Sequence, residues 1–235
     1  MRPFPRPRPH TTIDGVSPTT TPLSSTPRSS LGRLAERGRT DRSDLYDVLD
    51  AGIVCHLGIV LDGAPVVLPT GYGRVDDTLY LHGSTGASTL RGAATGLPVC
   101  VTVTHVDGVV YARSVFHFSM NYRSAVVHGN ARLVTDEQER LDGLRALVEN
   151  LAPGSWDHAR LPNRKELAAT TVLALDLAEA SVKVRNGPPG DDDADIANPA
   201  YWAGVLPVRT VFGEAEPAPD LIPGTPATPD HVTAR

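Results

Sequence analysis

Apolar and polar residues alternate in several short runs across the middle of the chain. Two of these runs flank Asp62 and Gly63, a dipeptide typical of hairpin turns, and a third run, "DDTLYLHG", follows them. The stretches "LPVCVTVTHVDGVVYARSVFHFS" and "NYRSAVVHGNARLV" predict a second hairpin, turned at Asp107 and Gly108, and a long strand. Farther along, "TTVLALDL", "ASVKVR" and "WAGVLPVRTVFG" predict three more strands.

Helical periodicity is confined to a few places. Residues 41–52 and 84–96 predict two short helices, each ending at a glycine. The clearest helix covers residues 135–154, where Thr135 and Gln138 predict a capping box. Strands that are mostly linked by hairpins, with few helices between them, indicate a mainly β protein. We therefore expect an antiparallel barrel with helical decoration.

Composition divides the chain into three parts. Residues 1–29 are rich in Pro, Ser, Thr and Arg and have little to bury, so this segment is predicted to be disordered. Residues 30–215 hold the strands and helices and are predicted to form one domain. Residues 216–235 are predicted to be a disordered, Pro-rich tail. The 40% hydrophobic content is sufficient for a buried core.

Charge and cysteine usage limit the location and the partners. The net charge of −5 argues against a dedicated nucleic-acid surface. No apolar run approaches the roughly 20 residues of a membrane helix, and "MRPFPRPRPH" precedes no apolar stretch of a signal peptide. Cys55 and Cys100 lie in apolar strand-like runs, which favours buried free thiols. We expect a cytoplasmic protein without nucleic-acid or membrane partners.

Familiar sequence motifs for metal binding and catalysis are missing. Five histidines lie on predicted strands and turns: His56, His82, His105, His117 and His128. None has the spacing of an HExxH or CxxC site, and the chain has no GxSxG, GxGxxG or Walker sequence. The sequence therefore predicts no metal site and identifies no catalytic residue.

The hydroxyl-rich stretch "GSTGAS", residues 83–88, follows a predicted strand. A helix that begins here would offer backbone N–H groups and hydroxyls to an anion, and Arg91 lies about one turn farther on. Alternatively, Ser84 or Thr85 caps the helix and binds nothing. The spacing leaves both interpretations open.

Arg123 lies in register with Ala125 and Val127 on an apolar strand face. A buried guanidinium is costly unless it is paired, so Arg123 requires either a carboxylate or a bound anion. Our interpretation from the sequence is an anion.

Three long stretches carry a family resemblance: "AGIVCHLGIVLDGAPVVLPTGYGRVDDTLYLHGSTGASTLR", "LPVCVTVTHVDGVVYARSVFHFSMNYRSAVVHGNARLV" and "PAYWAGVLPVRTVFGEAEPAPDL". They resemble flavin-nucleotide-binding proteins of the pyridoxamine 5′-phosphate oxidase-like superfamily, whose members include nitroimidazole-resistance proteins. The resemblance covers roughly residues 33–221. It implies a split β-barrel that forms a homodimer and holds FMN in a cleft between the two subunits.

The resemblance also implies which residues hold FMN. The segment "LPTGY" would line the flavin ring, "LHGSTGAS" would lie near the ribityl and phosphate groups, "SMNYRS" would reach the same cleft, and Trp202 would approach from the partner subunit. Many family members carry a basic residue beside a serine where this chain has "ASTL", so Arg91 or Arg123 would neutralise the phosphate. The implied cofactor-binding residues are Leu68, Pro69, Thr70, Gly71, Tyr72, His82, Gly83, Ser84, Thr85, Ser88, Arg91, Ser119, Asn121, Tyr122, Arg123 and Trp202.

The implied function is an FMN-dependent oxidoreductase that passes electrons from a reduced nicotinamide to a small organic acceptor. The alternatives are a module that binds a flavin, haem or deazaflavin without turnover, and a redox-inactive regulatory dimer. His117, between Phe116 and Phe118, is either a packed core residue or an axial haem ligand, because some split barrels hold haem.

Overall fold

The computed structural model describes residues 22–24 and 26–234 of the chain. Its strands are β1 (Gly38–Arg39), β2 (Val54–Leu61), β3 (Ala64–Val75), β4 (Thr78–Ser84), β5 (Pro98–Tyr111), β6 (Ser119–Asn130), β7 (Arg132–Leu133), β8 (Thr170–Asp176), β9 (Ala180–Arg185) and β10 (Gly204–Pro207). Its α-helices are α1 (Arg42–Asp50), α2 (Ser88–Ala94), α3 (Glu137–Leu151), α4 (Arg164–Ala168), α5 (Asp193–Ile196) and α6 (Asp230–Thr233). Two 3₁₀ turns cover Ala35–Arg37 and Val115–His117.

The strands form an antiparallel sheet in the order β1-β9-β6-β5-β2-β3-β4-β8-β7, and β10 pairs with β5. Within it, β3 changes partner. Residues 64–71 pair with β2, whereas residues 72–75 pair with β4. This change divides the sheet into the two halves of a split barrel. The predicted mainly β, antiparallel architecture is confirmed.

Alternate residues of the central strands form the core. Leu57, Val101 and Val127 stand opposite one another on β2, β5 and β6, and all three are fully buried. Helix α1 adds Leu45 and Leu49, also fully buried. The period-2 pattern of these strands therefore has its expected cause, because one face of the sheet packs on the core.

The point at which β3 changes partner is held by contacts from both helices. The Tyr72 hydroxyl donates to the carbonyl of Leu49 in α1 at 2.5 Å, and burial raises the pKa of Tyr72 so that this donor keeps its proton. The side-chain amide of Asn150, in α3, donates to the carbonyls of Tyr72 (3.0 Å) and Gly52 (2.9 Å). Backbone carbonyls near the change of partner thus find side-chain donors outside the sheet ladder.

One of the two predicted hairpin turns forms and the other does not. Asp62 and Gly63 have φ angles of 50° and 78°, and they join β2 to β3 as predicted. At Asp107 the chain does not turn. Instead β5 continues to Tyr111, with a register shift between Val106 and Gly108, and the connection to β6 comes afterwards. Pairing with β10 extends this end of β5, which sequence periodicity alone did not indicate.

The N-cap of the long helix also differs from the prediction, and it lies one residue after Thr135. The N-cap of α3 is Asp136, whose Oδ1 accepts a hydrogen bond from the backbone N–H of Glu139 at 2.8 Å. A carboxylate at this position satisfies a first-turn donor and suits the positive end of the helix dipole.

The described residues before Ser30 make defined contacts. Ser24 donates to the carbonyl of Ala178 at 2.6 Å, and Arg28 forms an ion pair with Glu179. These residues overlap the segment predicted to be disordered, of which residues 1–21 and 25 lie outside the described part. Within the C-terminal tail, α6 places the His231 ring 4.2 Å from that of His158. None of the helices described has the length and apolar character needed to cross a bilayer.

Gly73 offers a test of how tightly α3 packs on β3. A Cβ at this position would lie 2.3 Å from the backbone carbon of Ala146, so we expect Gly73→Ala to destabilise the protein by about 3 kcal/mol or more. Gly71→Ala is the matched control, since its Cβ would meet nothing closer than 3.9 Å. Chemical denaturation measures both. Equal stability of the two variants would show that α3 does not press on the strand.

Candidate functional site

Two segments predicted to hold a cofactor meet where β3 and β4 separate. Strand pairing between β3 and β4 covers only residues 72–75 and 78–81 of the described chain. Residues 64–71 of β3 pair with β2, and β4 continues beyond Leu81 to Ser84 while paired with β8. The residues of "LPTGY" and "LHGS" therefore flank one opening, which we call the β3/β4 fork and define as residues 68–72 and 82–88.

Exposed side chains line the fork. Leu68 and Pro69 of β3 are exposed, as are His82 and Ser84 of β4. Desolvation of its imidazole lowers the pKa of His82, so this ring is neutral near pH 7. Tyr72 is the exception, because it faces the core and is 1% exposed. The fork thus offers apolar surface on one side and polar groups on the other.

The hydroxyl-rich loop folds on itself beside the fork. Ser84 Oγ accepts from the backbone N–H of Gly86 at 3.1 Å, and Arg91 Nη1 donates to the carbonyl of Gly86 at 2.5 Å. Helix α2 begins at Ser88 with Ala87 as N-cap, and no side chain caps it. The interpretation that Ser84 or Thr85 caps the helix is therefore wrong, and the first-turn N–H groups of α2 lack a capping side chain.

Two residues of "SMNYRS", Asn121 and Arg123, have partners within the chain. Asn121 is 5% exposed; its Oδ1 accepts from Gly187 N at 3.1 Å and from Arg185, and its Nδ2 donates to Gly187 O at 3.2 Å. Arg123 donates from Nε and Nη2 to the two carboxylate oxygens of Asp107, both at 3.0 Å. Arg123 is therefore paired with a carboxylate, which is the alternative to a bound anion stated from the sequence. Its position on an apolar strand face no longer gives a reason to expect an anion there.

Sheet order separates these residues from the fork within one chain. Strand β6, which carries Ser119 and Tyr122, is three positions from β3, or roughly 14 Å at ordinary strand spacing. Trp202 precedes β10 and packs on Tyr111 of β5, with ring centroids 5.8 Å apart. One subunit therefore brings together the β3 and β4 residues of the predicted set but not its β6 residues or Trp202.

A second concave surface lies on the outer face of the sheet. Four residues face one another across neighbouring strands, namely His128 of β6, Cys100 of β5, Gly58 of β2 and Val67 of β3. Because Gly58 has no side chain, this row is depressed, and a shallow, open groove of about 260 Å³ lies there. We call it the Gly58 groove.

The Gly58 groove combines apolar walls with three polar groups. Valine and proline residues form most of its lining, and Arg28, Cys100 and His128 complete it. Both cysteines of the chain are free, as predicted; burial raises the pKa of Cys55 to about 12, whereas Cys100 is only partly buried. Sequence reasoning missed this groove for two reasons. Gly58, which forms its floor, has no side chain that could mark a site, and Arg28 comes from a segment predicted to be disordered.

His117 is not a packed core residue. The turn that carries it buries none of its residues, and Phe116 is 86% exposed. The His117 Nε2 atom lies 3.5 Å from a carboxylate oxygen of Asp192. One ring nitrogen is therefore directed at a carboxylate, which disfavours its use as a haem ligand in this arrangement.

Comparison with known proteins identifies the family. Residues 41–184 match the family model described as pyridoxamine 5′-phosphate oxidase. The chain belongs to this family. A flavocytochrome of Azotobacter vinelandii is 38% identical with a TM-score of 0.85, and the match covers 91% of this chain and 98% of that one. An FAD- and haem-binding protein of Mycobacterium smegmatis is 44% identical with a TM-score of 0.80, over 84% and 96% of the two chains.

A more distant structure shares the fold of this pyridoxamine 5′-phosphate oxidase family member. It is a Bacteroides thetaiotaomicron protein described as a candidate 5-nitroimidazole resistance protein, 20% identical with a TM-score of 0.54. The match covers 63% of this chain and 86% of that one. No protein of curated function matches the chain. The family resemblance seen in the sequence is confirmed.

Proposed function

We propose that this protein is a cytoplasmic flavocytochrome-like electron-transfer protein that binds a flavin at the β3/β4 fork and haem in the Gly58 groove. The observation that carries the proposal is the likeness over nearly the whole chain to two proteins described by flavin and haem together. Both relatives exceed a third in identity, which supports shared chemistry as well as a shared fold. We propose FAD as the flavin, in place of the FMN that the family resemblance implied, because the Mycobacterium relative is described as an FAD-binding protein.

The chemistry of the fork fits the phosphate end of a flavin nucleotide. Ser84, Thr85 and Ser88 offer hydroxyls, and the uncapped first turn of α2 offers backbone N–H donors. Arg91 already holds the loop through one guanidinium nitrogen and keeps further donors for an anion. Leu68, 37% exposed, presents apolar surface suited to one face of the flavin ring.

The chemistry of the Gly58 groove fits haem. An apolar wall suits the porphyrin, and His128 supplies an imidazole. Arg28 donates from Nε to Glu179 Oε1 at 3.0 Å and from Nη2 to Oε2, which leaves its Nη1 for a propionate. These residues would bind the group, exclude water from one face and orient it.

A flavin supplies two-electron chemistry when bound, and haem supplies one-electron chemistry, so their pairing supports electron transfer between a two-electron donor and a one-electron acceptor. The role of this chain's residues is to position the two groups. We propose an oxidoreductase role on this basis. Binding without turnover, or binding of a deazaflavin, is the alternative outcome of the experiments below.

We further propose a homodimer whose interface includes the outer face of the sheet. Val54, Val60 and Val67 are 47%, 57% and 64% exposed on that face, and exposed apolar residues in neighbouring strands are typical of protein interfaces. Val60 and Val67 also line the Gly58 groove, so haem bound there would lie at this interface. A second copy would also bring its β6 residues and Trp202 toward the fork. We expect light scattering to give the mass of a dimer; a monomer with full flavin occupancy would contradict a site built from two chains.

The flavin site is tested by titrating apoprotein with FAD, FMN and riboflavin while following flavin fluorescence. We expect Arg91→Ala to weaken FAD and FMN by about tenfold, because a charge-assisted contact is lost, and to leave riboflavin nearly unchanged, because riboflavin has no phosphate. Arg145→Ala, on the exposed face of α3, is the control and should change nothing. Equal losses for all three ligands would place the effect on the fold instead of the phosphate.

The haem site is tested by the absorption spectrum of protein reconstituted with haem. We expect His128→Ala to lose or shift the Soret band, because the proposed axial ligand is removed. Gly58→Val should also reduce haem binding, because it fills the groove and leaves His128 in place. His56→Ala, exposed on the same face in the next row, is the control. An unchanged spectrum for both His128→Ala and Gly58→Val would place haem elsewhere.

A further inference from the structure

A cluster of possible metal ligands lies apart from the fork and from the Gly58 groove. The 3₁₀ turn between β5 and β6 ends at His117, and the segment after β9 enters α5 at Asp192. One ligand atom each of His117, Asp192 and Asp195 lies within 4.8 Å of the other two. His117 is 75 positions before Asp192 in the sequence, so no spacing motif could have indicated the cluster.

A buried ion pair holds the two segments together. Arg113 Nη1 donates to Asp191 Oδ2 at 2.8 Å, and the backbone N–H of Arg113 donates to Asp191 Oδ1 at 2.9 Å. The Asp191 side chain is 1% exposed. The pair sets the position of Asp192, the next residue. Asp195 lies three residues farther on and so faces the same side of the α5 turn.

The imidazole is held in place as well. The Phe116 ring contacts the His117 ring edge to face, with centroids 5.1 Å apart, and the His117 side chain is 21% exposed. Its Nε2 lies 3.5 Å from Asp192 Oδ2. The guanidinium nearest in the chain, that of Arg113, is paired with Asp191. One imidazole nitrogen and two carboxylate oxygens thus lie close together in this part of the described chain.

We propose that His117, Asp192 and Asp195 bind one divalent transition-metal ion. The 3.5 Å between Nε2 and Asp192 Oδ2 is close to the roughly 3.3 Å that separates two ligands on tetrahedral zinc. One imidazole among the ligands favours zinc, cobalt, nickel or iron over magnesium and calcium, which prefer oxygen ligands alone. Asp192 is 80% exposed, so water has access to complete the coordination.

The proposed ion would clamp the β5–β6 connection to the segment that leads into β10. Both segments flank the exposed aromatic side chains of Phe116 and Trp202. The clamp is independent of the flavin and haem sites, and its failure would leave the proposed function standing.

The experiment is a calorimetric titration of the untagged full-length protein with Zn²⁺ at neutral pH. We expect one site whose affinity falls at least tenfold in both His117→Ala and Asp195→Asn. Asp193→Asn is the matched control, because Asp193 belongs to the same short helix but not to the cluster. It should bind Zn²⁺ as the natural protein does. Melting temperatures without metal check that each variant is folded.

Two further measurements exclude other zinc sites. Cys100→Ala should leave the site unchanged, because a thiol is not among its ligands, and Co²⁺ in place of Zn²⁺ should give d–d absorption without a thiolate charge-transfer band. Absence of binding, retained binding in both cluster variants, or an equal loss in Asp193→Asn would overturn the proposal. Haem content of the His117→Ala protein should equal that of the natural protein, which separates this site from the haem site.

Discussion

The change of strand partner in β3 is the constraint on which the rest of the structure depends. A strand that leaves one neighbour and joins another exposes backbone groups at the junction, and these groups need partners. Asn150 provides one of them for the carbonyl of Tyr72, and the Tyr72 side chain is anchored on α1. The absence of a side chain at Gly73 lets the α3 backbone close over the junction. The fork lies directly beyond this junction, where β3 pairs with β2 and β4 pairs with β8.

The elements of this fold follow largely from local sequence patterns. The turn at Asp62 and Gly63 forms because both residues adopt positive φ in a two-residue hairpin loop. The same dipeptide type at Asp107 and Gly108 does not turn, since the carboxylate of Asp107 binds Arg123 across the strand pair and β10 pairs with the strand beyond it. A turn motif shows that the backbone can adopt a turn, whereas long-range contacts determine whether the turn forms.

The candidate site shows the same limit. Family motifs located the fork, because its residues lie in two continuous stretches of strand. They could not reveal that Asn121 and Arg123 are occupied by Gly187 and Asp107, since those pairings join segments distant in sequence or depend on a strand that runs on. The Gly58 groove and the His117 cluster arise from residues that are unremarkable in isolation. The groove forms because residues of four paired strands face one another, and the cluster forms because two loops meet.

The position of the family domain within the chain gives Arg28 and Asp192 a further significance. The matched family region covers residues 41–184, yet Arg28 precedes it and Asp192 and Asp195 follow it. The segments that flank the common barrel therefore supply charged groups to surfaces whose remaining residues belong to it. Removal of either flanking segment would therefore take charge away from one of these surfaces, while strands β2 to β8 would remain within the matched region.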